Sequence, residues 1–141
     1  MATRRILVAV STPWAGEKVF TTVRDLAGSL EASVVVVHVA KPTEEDDSPR
    51  DTLQRGEQTI ASLAARLSEA GVEAESLMLY GDDVARSVVN AAGEKGATLL
   101  VIGLSGKGAV ARLLSGDVPI QIIRHAHLPV LVIPPDWAGT L

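Results

Sequence analysis

Three glycines mark the chemistry this chain is built to do. Gly103, Gly106 and Gly116 lie in the stretch I-G-L-S-G-K-G-A-V-A-R-L-L-S-G-D-V, residues 102–118. The apolar run 97–102 before it reads as a buried strand, and 118–125 after it reads as a helix. A Gly-rich loop between a strand and a helix lets the backbone come close to a phosphate, and the helix start points further N–H groups at it. Two residues qualify that expectation. Asp117 stands at the start of the helix, and Ser11 follows the first apolar run.

Two common phosphate motifs do not fit. Walker A requires G-x-x-x-x-G-K-[S/T]; here Gly108 follows Gly106-Lys107, and Val101 stands where the first glycine would be. The dinucleotide fingerprint G-x-G-x-x-G belongs after a first strand, whereas these glycines follow the fourth apolar run.

The elements that must position the loop can be read in order. Residues 5–10 and 33–39 are continuous rather than alternating apolar runs, as in strands of a parallel sheet buried on both faces. Between them, residues 16–30 carry Val19, Phe20, Val23, Leu26, Ala27 and Leu30 at helical spacing. Residues 41–50, acidic and with two prolines, read as an exposed loop. A second helix presents Leu53, Ile60, Leu63, Leu67 and Ala70 on one face and ends at Gly71. Residues 73–80 predict strand three. Gly81-Asp82-Asp83 opens a helix with Val84, Val88 and Ala92 inward. Strand four is expected at 98–102, helix four carries Val118, Ile122 and Ile123, and strand five is 129–133, followed by a tail over 134–141.

Alternating strands and helices predict an α/β fold: one domain over 1–141 with a doubly wound, five-stranded parallel sheet and helices on both faces. The fold type supplies the order 3-2-1-4-5, which puts the switch point between strands one and four. Ligands of such sheets bind at that crevice, beyond the carboxyl ends of the strands.

The spacing G-x-x-G, nine residues, then G, met by Gly103, Gly106 and Gly116, resembles the universal stress protein family. So do the opening I-L-V-A-V, the V-V-H-V that ends strand two, the Gly81-Asp82 after strand three and the closing R-H-A-x-x-P-V-L-V-I. Together they cover nearly the whole chain. The resemblance implies an adenine-nucleotide alpha-hydrolase-like α/β domain, cytoplasmic and usually dimeric, with some members binding ATP. In those members the loop glycines and a following Ser or Thr hold the phosphates. An Asp at the end of strand one contacts the ribose side, and backbone at the end of strand two contacts adenine. Carried over, the candidate nucleotide site comprises Ala9, Val10, Ser11, Val39, Ile102, Gly103, Gly106, Lys107, Gly108, Gly116, Asp117 and Val118. Two positions depart from the family: Ser11 replaces the Asp, and Asp117 replaces the Ser or Thr.

Asp117 is the more consequential. Asp caps a helix by accepting from the N–H two or three residues on. The residue two on is Pro119, which has no N–H, so the cap would take the Ile120 donor from any anion. Two like charges 4 Å apart repel by roughly 4 kcal/mol at an effective ε of about 20. That offsets much of the ~1.5–3 kcal/mol from each N–H bond to a charged group. Mg²⁺ between the carboxylate and the phosphates would reverse the sign.

Two functions of different class follow. One is a dimeric regulatory, stress-response module that requires no cofactor and whose nucleotide site is degenerate, acting on an unknown protein partner. The other is a member that binds ATP or another adenine nucleotide through the loop, with Mg²⁺ if Asp117 is a metal ligand. Enzyme chemistry has little support: Ser105 lies in G-L-S-G, not in a G-x-S-x-G elbow.

Other features have plainer readings. The three histidines, His38, His125 and His127, lack metal-ligand spacing and read as hydrogen-bonding groups at strand and helix ends. Trp14, at the mouth of the expected crevice, reads first as packing on the nearby helix, with stacking on an adenine or covering the pocket as the alternative, and Trp137 reads as a docking residue of the tail. The chain has 141 residues, 47% hydrophobic and only 3% aromatic, so the core must be aliphatic. A net charge of −4 argues against nucleic-acid or anionic-membrane surfaces. The absence of cysteine removes disulfide and thiolate chemistry, and the 5–10 run is too short for a secretion signal. Strand five (Pro129, Val130, Leu131, Val132, Ile133) would be an apolar sheet edge. Pairing with the same strand of a second copy would cover it.

Overall fold

Strands made of unbroken Val, Leu and Ile need cover on both faces, and the chain supplies it by sending its first two described helices to one side and the next two to the other. The computed structural model describes residues 4–10, 17–40, 49–103, 118–134 and 137. In chain order the elements are β1 (Arg5–Ala9), α1 (Glu17–Leu30), β2 (Ser33–Ala40), α2 (Pro49–Glu69), β3 (Ala74–Tyr80), α3 (Val84–Glu94), β4 (Leu99–Gly103), α4 (Val118–His125) and β5 (Val130–Ile133). The five strands form one sheet in the order β3-β2-β1-β4-β5. Every neighbouring pair is parallel. The expected architecture and strand order are both present.

Period-two alternation along each strand divides the core. Ile6, Val8, Val34, Val36, Val101 and Ile133 face one way and pack with Val19, Val23 and Ala27 of α1 and Ile60, Leu63 and Leu67 of α2. Leu7, Val35, Val37, Leu100 and Ile102 face the other way, onto Ala85, Val88, Ala91 and Ala92 of α3 and Ile122 of α4. The small alanines of α3 let that helix lie close on the sheet. On the first side, Phe20 is stacked under Arg66 at 4.1 Å, tying α1 to α2.

Several local expectations need correction. α2 begins at Pro49, so the last two residues of the 41–50 loop are helical. Proline suits a first helical turn, where its missing N–H has no partner to lose. Residues 41–48 lie outside the described residues. Ala70 is exposed and lies past the end of α2, because the chain turns at Gly71, whose φ of +89° favours a residue without Cβ. In α4, Ile122 is 2% exposed whereas Ile123 is 51% exposed. Adjacent helical residues point about 100° apart, so only one of the two can meet α3.

α3, which packs on α4 and against β2 and β3, is capped as its sequence suggests. Asp83 sits at the N-cap and its Oδ1 accepts from the Arg86 N–H at 3.1 Å. Asp83→Ala is expected to cost about 1 kcal/mol of stability, read as a lower urea midpoint with an unchanged m-value.

Candidate functional site

The chain leaves β1 for α1 on one face of the sheet and leaves β4 for α4 on the other. The two exits diverge, and a crevice opens between neighbouring strand ends. β1 and β4 pair directly, with Ala9 opposite Ile102. Ala9, Val10, Ile102 and Gly103 therefore lie together at the carboxyl end of the β1–β4 pair, the place where sheets of this type bind ligands. Gly103 belongs to β4, one residue further than expected for the strand, and is paired with Ile133 of β5. Val10 is 7% exposed and Ile102 3%. Val39 is buried near the end of β2, opposite Leu79. Val118 opens α4 and is half-buried against the second core face. The remaining candidates, Ser11, Gly106, Lys107, Gly108, Gly116 and Asp117, lie outside the described residues, as does Trp14. The start of α4 at Val118 does place Pro119 in its first turn.

Val10 lies beyond β1, yet both of its main-chain groups are held. Its N–H donates to Val37 O at 3.0 Å. Its carbonyl is 2.8 Å from His38 Nδ1. A carbonyl can only accept, so Nδ1 carries the proton and the imidazole is the donor. His38 is thus a strand-end hydrogen-bonding group. The role of Gly56, buried within α2 beneath that imidazole, was missed in the sequence. The available signals were one polar residue in a run of valines and one glycine inside a helix.

At the opposite, amino end of the strands, a cavity of about 320 Å³ is lined by Arg5, Ser33, Glu73, Glu75 and Lys95 among others. Three of its charges, Arg5, Lys95 and Glu75, are used internally. Arg5 donates to Ser33 Oγ at 3.2 Å and to Lys95 O, at the end of α3, at 2.7 Å. Lys95 pairs with Glu75 at 3.1 Å. A cation on the last carbonyls of a helix suits its dipole, so this cluster fastens α3 to the sheet. Trp137 is half-buried against the first core face, and its indole N–H donates to Thr22 Oγ at 3.1 Å, which docks this residue on α1. Among the described residues no His, Cys, Asp and Glu group could hold a metal ion, and no helix is long and apolar enough to cross a membrane.

A doubly wound parallel sheet with its switch point between β1 and β4 defines the class: a Rossmann-like α/β protein. The universal stress protein family model matches residues 2–134. A universal stress protein of Staphylococcus haemolyticus is 30% identical over 92% of this chain and 84% of its own length. One from Methanocaldococcus jannaschii is 35% identical over 57% of this chain, a match that spans 46% of that protein. The chain belongs to the universal stress protein family. Solved structures share the fold. They include a universal stress protein in complex with cAMP, with a TM-score of 0.73 at 20% identity over 96% of this chain and all of that one. The Archaeoglobus fulgidus protein in complex with dAMP has a TM-score of 0.71 at 24% identity over 94% and 99% of the two chains. An Arabidopsis thaliana family protein with AMP bound has a TM-score of 0.64 at 20% identity over 94% and 92%.

Proposed function

We propose that this protein is a dimeric, cytoplasmic regulatory module whose β1–β4 crevice takes an adenosine monophosphate and does not hold ATP stably. The observation that carries the reading is the switch point itself: β1 and β4 are neighbours while α1 and α4 pack on opposite faces, with Ala9, Val10, Ile102 and Gly103 at the carboxyl end of the pair and Val39 near the end of β2 beside it. Backbone at β2 recognises adenine, and Ser11 hydrogen-bonds the ribose in place of a carboxylate. The Gly-rich stretch receives the phosphate nearest the ribose, and the further phosphates of ATP extend toward Asp117. Repulsion from that carboxylate grows with the charge of the phosphate chain, so a single phosphate is tolerated where three are not. Three of the related structures carry cAMP, dAMP and AMP, each with one phosphate, which supports the same reading. Adenine nucleotide binding changes what the module presents to a regulatory protein partner; no cofactor is required and no bond is made or broken.

Titration calorimetry of the wild-type protein with AMP, cAMP and ATP, each with and without Mg²⁺, tests the proposal. AMP is expected to bind at least about tenfold tighter than ATP without Mg²⁺. Tight ATP binding that depends on Mg²⁺ would overturn it, by making Asp117 a metal ligand. Heat-silent titrations with all three nucleotides would leave a module that works through protein contacts alone.

A further inference from the structure

We infer that His38 and Gly56 act together as a positioning device for the nucleotide crevice, holding the point at which the chain leaves β1 for residue 11. The inference rests on the nucleotide reading above for its consequence, but the device itself is visible in the described residues. β2 reads S-V-V-V-V-H-V-A, and its single imidazole interrupts the valine run one residue before Val39. That imidazole donates from Nδ1 to the Val10 carbonyl at 2.8 Å, while the Val10 N–H is taken by Val37. Val10 is thereby fixed by β2 on both sides, although it lies outside the β1 ladder proper.

Gly56 explains how the ring fits. It is buried in the interior of α2, where glycine costs about 1 kcal/mol relative to alanine by helix propensity alone. A Cβ at this position would lie 2.7 Å from His38 Cδ2 and 3.3 Å from both His38 Nε2 and the Met78 methyl. Alanine would therefore displace the imidazole and stretch its bond to Val10. The helix gives up intrinsic stability at the one place where that leaves room for the ring. A glycine that only eased helix packing on the sheet would not need a polar neighbour aimed at a strand-end carbonyl.

His38 is a positioning residue: it reaches the ligand only through the Val10 backbone and the residue after it. Its effect should therefore separate from stability. His38→Val removes the donor and the ring, matching the rest of β2. Adding Gly56→Ala to His38→Val fills the vacated space with a better helix former. The double variant is expected to recover or exceed the wild-type melting temperature by about 4 °C, yet to bind AMP about tenfold more weakly than wild type.

A second readout does not depend on any nucleotide. In the double variant the Val10 amide should exchange with solvent at least about tenfold faster than in wild type, with the Leu7 amide at mid-strand as the unchanged internal control. Restored AMP affinity in the double variant would overturn the inference, as would unchanged Val10 exchange. If wild type binds no AMP while Val10 exchange responds as expected, the nucleotide reading fails and the positioning device stands.

Discussion

Asp117→Ser is expected to raise ATP affinity by about 30-fold and AMP affinity by less than about threefold. The figure follows from charge. A carboxylate 4 Å from a phosphate oxygen repels it by roughly 4 kcal/mol at an effective ε of about 20, and salt at physiological strength removes part of this. About half surviving gives ~2 kcal/mol, or near 30-fold. Serine also restores a hydroxyl that can cap the helix or donate to a phosphate. Pro119 in the first turn of α4 means that one donor is missing there in either variant. Serine therefore relieves repulsion without creating an ideal helix-start site. AMP, with one phosphate nearer the ribose, gains little. Calorimetry with the purified variant beside wild type reads both numbers. Equal gains for ATP and AMP would mean that Asp117 blocks the crevice by shape or capping. A loss of Mg²⁺-dependent ATP binding would mean that the carboxylate holds the metal.

The architecture was legible because the strands are apolar without alternation. Residues 33–39 can be satisfied only between two covered faces, and 97–102 repeats the demand, so helices had to go to both sides. The structure meets it with Val34 and Val36 on one face and Val35 and Val37 on the other. Legibility fell where a choice rests on a single rotation or contact. Ile122 and Ile123 are chemically identical, and only the direction in which α4 presents itself to α3 selects the first for burial. Gly103 reads as loop because glycine favours loops, yet a neighbouring edge strand draws it into the ladder opposite Ile133. The meeting of Ala9 and Ile102 at the switch point followed from the fold type. The His38–Val10 bond did not, because it joins residues 28 apart in sequence through a carbonyl with no side-chain signature.

Val132→Pro is expected to weaken the proposed dimer by about 100-fold while leaving the protomer folded. The direction of the backbone groups on β5 supports the choice. Leu100 N donates to Pro129 O at 3.0 Å, and Leu100 pairs with Val130 in register. In a parallel ladder each residue bonds to the two that flank its partner. Pro129 and Leu131 therefore turn their groups toward β4, and Val130 and Val132 turn theirs toward the open edge. A two-fold pairing of β5 with its copy would use Val132 once from each chain, so a single substitution removes two N–H donors and inserts two rings. At about 1 kcal/mol per lost bond, with steric cost added, the sum is roughly 3 kcal/mol, or about 100-fold. Proline is tolerated on an edge strand, so β4 keeps its own pairing. Leu131→Lys should also weaken association. Leu131 and Val132 are both half-buried against the core, on opposite faces, so both variants lower protomer stability; proline at 132 differs in that it also removes the outward N–H, and its cost to the fold is read separately. Sedimentation velocity across a concentration series reads the association, and circular dichroism with urea reads the fold. A Val132→Pro protein that still sediments as a dimer would remove β5 from the interface and turn attention to α4, where Ile123 is 51% exposed on the helix leading into that strand.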